Sequence, residues 1–176
     1  MKKVLVSAFL PFNKKENNYS AEVLNFISSD KVEIDKVIID VLYDKCFDAV
    51  AENGLGNYDF IIALGEARMR EALTVEKRAK NISSCSLSDN GGEIKSEEII
   101  DKSFGEYIES KMDFEKFKDF AEISFDAGKF VCNNMYFHLL KYDDSRTLFI
   151  HVPECNNDEE KYKLYAEKIS RIIEIL

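Results

Sequence analysis

The sequence predicts an α/β fold in which helices cover both faces of a mostly parallel sheet. Short β-branched apolar runs alternate with segments of helical apolar spacing, as expected of strands buried on both faces and joined by crossover helices. Hydrophobic residues make up 45% of the 176-residue chain, which is enough for a core that needs no disulfide staple. No internal repeat, linker or low-complexity tract breaks the pattern, so residues 1–176 are expected to form a single domain.

Residues 4–10 form the first expected strand, halted by Pro11. The basic Met1-Lys2-Lys3 before it imitates a signal peptide, but no small-residue cleavage site follows, and the Val-x-Val spacing suits a buried strand. Ser20 is placed to cap a helix carrying Val23, Leu24 and Ile27, and residues 32–41 make the second strand. Asp44 would cap a short helix through Ala51, and residues 60–64 make the third strand. After the turn signal Asp89-Asn90-Gly91-Gly92, residues 93–120 mix charges with Phe104, Tyr107, Phe114, Phe117 and Phe120, which suggests helix and loop with the aromatics as core contacts. A helix follows near Cys132, with Val131, Met135, Leu139 and Tyr142 on its inner stripe. Residues 147–152 are a buried strand stopped by Pro153, and Asn157 or Asp158 starts a last helix with Leu164, Ile169, Ile172 and Ile173 facing in.

The balance of 33 acidic against 24 basic residues gives a net charge of −9, which opposes attraction to nucleic acid or to anionic lipid. Four cysteines without a C-x-x-C pair read as reduced thiols of a cytoplasmic protein. No stretch has the length of a membrane span.

Only two histidines can supply an imidazole. His138 lies six residues along the helix from Cys132, about 9 Å along the axis and on another face, which makes it a poor partner and a rim or surface residue. His151 lies near the C-terminal end of a buried strand, where ligand sites of open α/β sheets gather, although a lone histidine there is more often merely packed. Cys132 opens a helix whose free N–H groups and dipole favour a thiolate, so it can act as a nucleophile. Cys46 and Cys85 suit small buried hydrophobes instead. Cys155 with His151 gives too few ligands for a zinc site. Glu76 gains meaning only beside a cysteine–histidine pair, which needs a third group to fix the imidazole tautomer.

These residues resemble a known family. Gly128-Lys129-Phe130-Val131-Cys132-Asn133-Asn134 and Phe149-Ile150-His151-Val152-Pro153 are similar to the nucleophile and histidine motifs of the pyroglutamyl-peptidase I (pyrrolidone-carboxylate peptidase) family. Ser7-Ala8-Phe9-Leu10-Pro11-Phe12 and Asn18-Tyr19-Ser20 resemble that family's Gly-Phe-Glu-Pro-Phe and Asn-Pro-Ser segments. Gly65-Glu66-Ala67-Arg68-Met69-Arg70 stands where the family has Gly-Gln-Ala-Gly-Gly-Arg, and residues 76–81 where it carries its catalytic glutamate. The resemblance implies a three-layer α/β/α sandwich with a mixed, mostly parallel sheet, no cofactor and no metal. It makes Cys132 the nucleophile, His151 the base and Glu76 the orienting acid. It lines a lactam pocket with Phe9, Phe12, Leu87, Phe130 and Val131, and sets Asn18 and Glu66 beside the substrate, a peptide or small amide with an N-terminal pyroglutamate. A homo-oligomer is the only protein partner it suggests.

Two departures bear on activity. Ser86 stands where the family has an arginine near the oxyanion site, and losing one oxyanion donor costs about 10²–10³ in turnover. Glu66 replaces a glutamine and raises the problem of a buried extra carboxylate. On this reading Ser86→Arg with Glu66→Gln should raise turnover, and the alternative is a divergent, weakly active or inactive paralogue that binds a ligand.

Overall fold

The computed structural model describes all 176 residues. Six strands build the main sheet: β1 (Lys2–Phe9), β2 (Val32–Ile39), β3 (Phe60–Glu66), β4 (Thr74–Glu76), β9 (Glu122–Ser124) and β10 (Thr147–Val152). Their spatial order is β2-β1-β3-β10-β4-β9. The first four pair in parallel, β4 runs antiparallel to β10, and β9 is parallel to β4. The expected α/β class is therefore observed, with the sheet mixed at one edge.

Four helices flank the sheet: α1 (Tyr19–Phe26), α2 (Cys46–Ala51), α3 (Val131–Tyr142) and α4 (Glu159–Ile175). Strand alternation sends Val4, Val6, Ala8, Ile62, Leu64, Leu148, Ile150 and Val152 into one core with α1 and α4. It sends Leu5, Phe9, Ile61, Ala63 and Phe149 into a second core with α2 and α3. Because side chains alternate along a strand, His151 shares the α3 side with Phe149. Val75 belongs to the α1–α4 core, so Thr74 and Glu76 also face α3. That parity puts the acid and the imidazole on the same side of the sheet before any side-chain detail is considered.

Several expectations need correction. Asn18 rather than Ser20 caps α1, accepting from the Ser20 N–H at 3.1 Å. The Asp44 cap is replaced by Lys45, without a side-chain cap bond. Residues 93–120 contain no α-helix: β7 (Glu98–Ile99) pairs with β6 (Ile82–Ser83), β8 (Tyr107–Glu109) pairs with β5 (Arg78–Lys80), and Phe114–Phe117 form a 3-10 turn. Phe114 and Phe117 are core residues, while Phe104 and Tyr107 are exposed. Leu164 on α4 and Tyr142 on α3 were expected to face inward, yet they are 49% and 46% exposed. Each lies on the rim of its helix, where the apolar stripe overruns the surface it covers. No helix is long and apolar enough to cross a membrane.

Candidate active site

The C-terminal ends of β1, β3 and β10 meet the start of α3 around a cavity of about 450 Å³. Phe9, Phe12, Val41 and Phe130 give it an apolar wall, and Asn18, Glu66, Arg68, Arg70, Cys132 and His151 give it polar groups. Its size and apolar character suit a small ligand held by a few placed polar groups.

His151 is buried, and its Nδ1 lies 2.7 Å from Glu76 Oε1. Glu76 arrives there through register. Phe149 pairs with Glu76 and His151 with Thr74 across the antiparallel β10–β4 ladder, so Glu76 is the diagonal same-face neighbour of His151. Glu76 lies within β4 itself. Its side chain is 0% exposed. Oε1 also accepts from Arg70 Nη2 at 2.7 Å and Thr74 Oγ1 at 3.4 Å, whereas Oε2 has no partner.

Cys132 is half-buried at the second position of α3. Phe130 precedes the helix without a side-chain cap bond, and the N–H groups of Val131, Cys132 and Asn133 donate to no backbone carbonyl. A first turn left open in this way is a ready set of donors for negative charge. Gly128, at φ 81°, takes the left-handed turn that leads the chain into this helix. Gly65 is required for a different reason: a Cβ there would meet Cys132 Sγ and Phe149 Cζ at 2.8 Å.

The sequence expected a thiol of lowered pKa. Burial instead pushes the Cys132 thiol up to about 12, with Cys46, Glu66 and Glu76 adding to the rise and its own backbone N–H opposing it. No hydrogen bond joins its Sγ to the imidazole. The thiol is therefore a neutral group that needs a proton acceptor, and the cavity wall also carries His151. Nδ1 is engaged by Glu76, which leaves Nε2 for that role.

Two residues the sequence did not assign hold this arrangement. Tyr136, one turn along α3 from Cys132, donates to the Glu76 carbonyl at 2.7 Å and packs on Phe149 at 5.5 Å, which clamps α3 to β4. Arg70 ties Glu76 to Thr74 Oγ1 and to the Asp126 carbonyl. The signal for Tyr136 was its i+4 spacing from Cys132, and that for Arg70 its place at the end of the glycine-containing turn.

Of the remaining expected residues, Phe9, Phe12, Asn18, Glu66 and Phe130 line the cavity. Val131 was expected in the lining but is fully buried and outside it, and Leu87 and Ser86 are exposed and also outside it. His138 packs between Phe47 and Phe137, also outside the cavity. Cys46 and Cys155 are buried in the two cores.

A family model described as pyroglutamyl peptidase matches residues 2–160. The pyrrolidone-carboxylate peptidase of Thermosipho melanesiensis is 32% identical over 88% of the chain and 84% of that protein. The enzyme of the same name from Brachyspira hyodysenteriae is 30% identical over 86% of the chain and 83% of that protein. Among solved structures, the pyrrolidone carboxyl peptidase of Thermus thermophilus superposes with a TM-score of 0.86 at 21% identity, covering 98% of this chain and 100% of that one. Pyroglutamyl peptidase I of Bacillus amyloliquefaciens gives 0.86 at 23% identity, covering 98% and 96%.

Proposed function

Because the chain belongs to the pyroglutamyl peptidase family, we propose that it is a cysteine peptidase that removes an N-terminal pyroglutamyl residue from peptides. The observation that carries the reading is the 2.7 Å contact of Glu76 with His151 Nδ1, with His151 and Cys132 in the wall of one apolar cavity.

On this reading Cys132 Sγ gives its proton to His151 Nε2 and attacks the carbonyl that follows the lactam ring. A tetrahedral oxyanion forms, and the open N–H groups of the first turn of α3 are the donors nearest to hand. Collapse breaks the C–N bond, and the imidazolium protonates the departing amine. Water, deprotonated by the same nitrogen, then hydrolyses the thioester, which frees pyroglutamate and restores the thiol. Glu76 holds the tautomer that leaves Nε2 free and steadies the imidazolium in between. Phe9, Phe12 and Phe130 supply apolar faces for the lactam, and Asn18 a polar edge.

Incubation with pyroglutamyl p-nitroanilide tests the activity. Release of p-nitroaniline that disappears in Cys132→Ala and is absent with the plain prolyl amide is the expected result. A folded protein that leaves the pyroglutamyl amide intact rules the reading out.

A further inference from the structure

Glu66 stands in the wall of the catalytic cavity but takes no part in the contact between Glu76 and His151. Its side chain is 1% exposed, and both oxygens are already occupied. Oε1 accepts from Lys15 Nζ at 2.9 Å and Arg68 Nε at 2.6 Å, and Oε2 accepts from the Tyr19 backbone N–H at 2.8 Å. The desolvation problem foreseen from the sequence is thereby met: two cations and an amide replace the water that the carboxylate has lost.

One of these three donors, Lys15, comes from the connection between β1 and α1, the stretch that also carries Phe12 and Asn18 into the cavity, and a second, the Tyr19 N–H, from the first residue of α1. Lys15 joins the two groups directly. Its Nζ lies 4.8 Å from the Phe12 ring centroid, and its backbone N–H donates to the Phe12 carbonyl at 3.1 Å. Arg68 braces the other side, stacked 4.4 Å from the Tyr19 ring, whose hydroxyl donates to Glu154 at 2.5 Å. The connection needs such bracing, because Asn13 and Lys14 both hold left-handed backbone, with φ of 53° and 57°. Conformations of that kind persist only where surrounding contacts impose them.

We propose that Glu66, Lys15 and Arg68 form a latch that sets the position of Phe12 at the cavity and so governs substrate affinity without entering the chemistry. The proposal rests on the peptidase reading for its kinetic arm alone. Glu66 is then a positioning residue. Opening the latch would lower the fraction of molecules with Phe12 in place. A fall of that fraction to about one tenth raises the apparent dissociation constant about tenfold. Turnover of the bound complex would hold, since bound molecules have the loop closed.

Glu66→Gln, Lys15→Met and Lys15→Arg, compared with the unaltered protein, test the latch by two independent readouts. One is steady-state cleavage of pyroglutamyl p-nitroanilide, and the other is hydrogen–deuterium exchange of residues 10–18 without substrate. Glu66→Gln and Lys15→Met should each raise KM about tenfold, keep kcat within about threefold, and quicken exchange across 10–18. Lys15→Arg, which keeps the cation, should restore both. Unchanged exchange at 10–18 in the first two variants overturns the latch, and so does a fall in kcat at constant KM. If Glu66→Gln does not fold, Lys15→Met carries the test. If the unaltered protein cleaves no pyroglutamyl amide, the peptidase reading fails and the exchange data alone decide the latch.

Discussion

Two buried carboxylates stand beside the same cavity, each with an arginine against it, and they are built for different work. Glu66 has both oxygens loaded by donors of the chain, among them Lys15, Arg68 and the Tyr19 N–H. Glu76 loads one oxygen with Arg70, Thr74 and His151 and leaves the other without a partner. The first is a closed ionic knot, and a closed knot fixes backbone. The second shares one oxygen between a fixed cation and an imidazole, so any charge that the proposed reaction places on that ring would meet it directly. On the proposed reading, which partner a buried carboxylate faces, rather than its depth or its arginine, separates a positioning group from one that acts on the reaction.

Glu76→Gln is the sharpest way to break this comparison. An amide at position 76 keeps the shape, but it can present an N–H to Nδ1 and cannot steady an imidazolium, so turnover should fall roughly 10²- to 10⁴-fold. KM should stay near its starting value, because Glu76 does not line the cavity. The same substitution at position 66 is expected to act on KM instead. Steady-state kinetics of the two variants side by side decide the matter, and equal losses of kcat at both positions would erase the distinction drawn between them.

Arg70→Met sharpens the comparison by removing the cation from Glu76 alone. A hydrogen bond to a charged group is worth about 1.5–3 kcal/mol, roughly 10- to 100-fold in rate where all of it is felt in the transition state. With the guanidinium gone, His151 loses a nearby positive charge and faces a carboxylate it no longer shares. Turnover of pyroglutamyl p-nitroanilide should therefore fall within that range, read as kcat in steady-state kinetics. An unchanged kcat would reduce Arg70 to a brace between β4 and the Asp126 carbonyl.

The sequence carried the sheet and the chemistry unequally. The main strands were legible because β-branched runs buried on both faces need nothing from elsewhere to be recognised, and Pro153 marked where β10 had to stop. Cys132 and His151 could be singled out from residue type and local position, whereas Glu76 was a candidate only in company with such a pair and took its role as orienting acid from the family resemblance. Its meaning lies in the β10–β4 register, which pairs segments far apart in the chain. Tyr136 and Arg70 were passed over for the same reason, since each acts through a contact across elements. Residues 93–120 misled because aromatics at helical spacing serve a 3-10 turn and two very short strand pairs, and local periodicity cannot tell these from a helix. Ser86 and Leu87 fell outside the cavity because their loop faces solvent, a matter of tertiary path rather than of residue type.

The two carboxylates both bear on the Cys132 thiol, and there the expected effect is smallest and the sign most informative. Burial first, then negative charge that includes Glu66 and Glu76, pushes the Cys132 thiol up to about 12. A thiol in that state is protonated at neutral pH, and its ionised fraction rises about tenfold with each pH unit below the pKa. Alkylation of Cys132 by iodoacetamide, followed by mass spectrometry, should accordingly climb by about that factor per unit between neutral and mildly alkaline pH. Cys46 and Cys155, buried and likewise raised to about 12, should stay unlabelled in the folded protein. The sequence alone suggested the opposite, a thiolate standing ready at the start of a helix, and that state has its own signature. A labelling rate that levels off below neutral pH, and loses the plateau in His151→Ala, would mean that a preformed thiolate–imidazolium pair overcomes both burial and the two carboxylates.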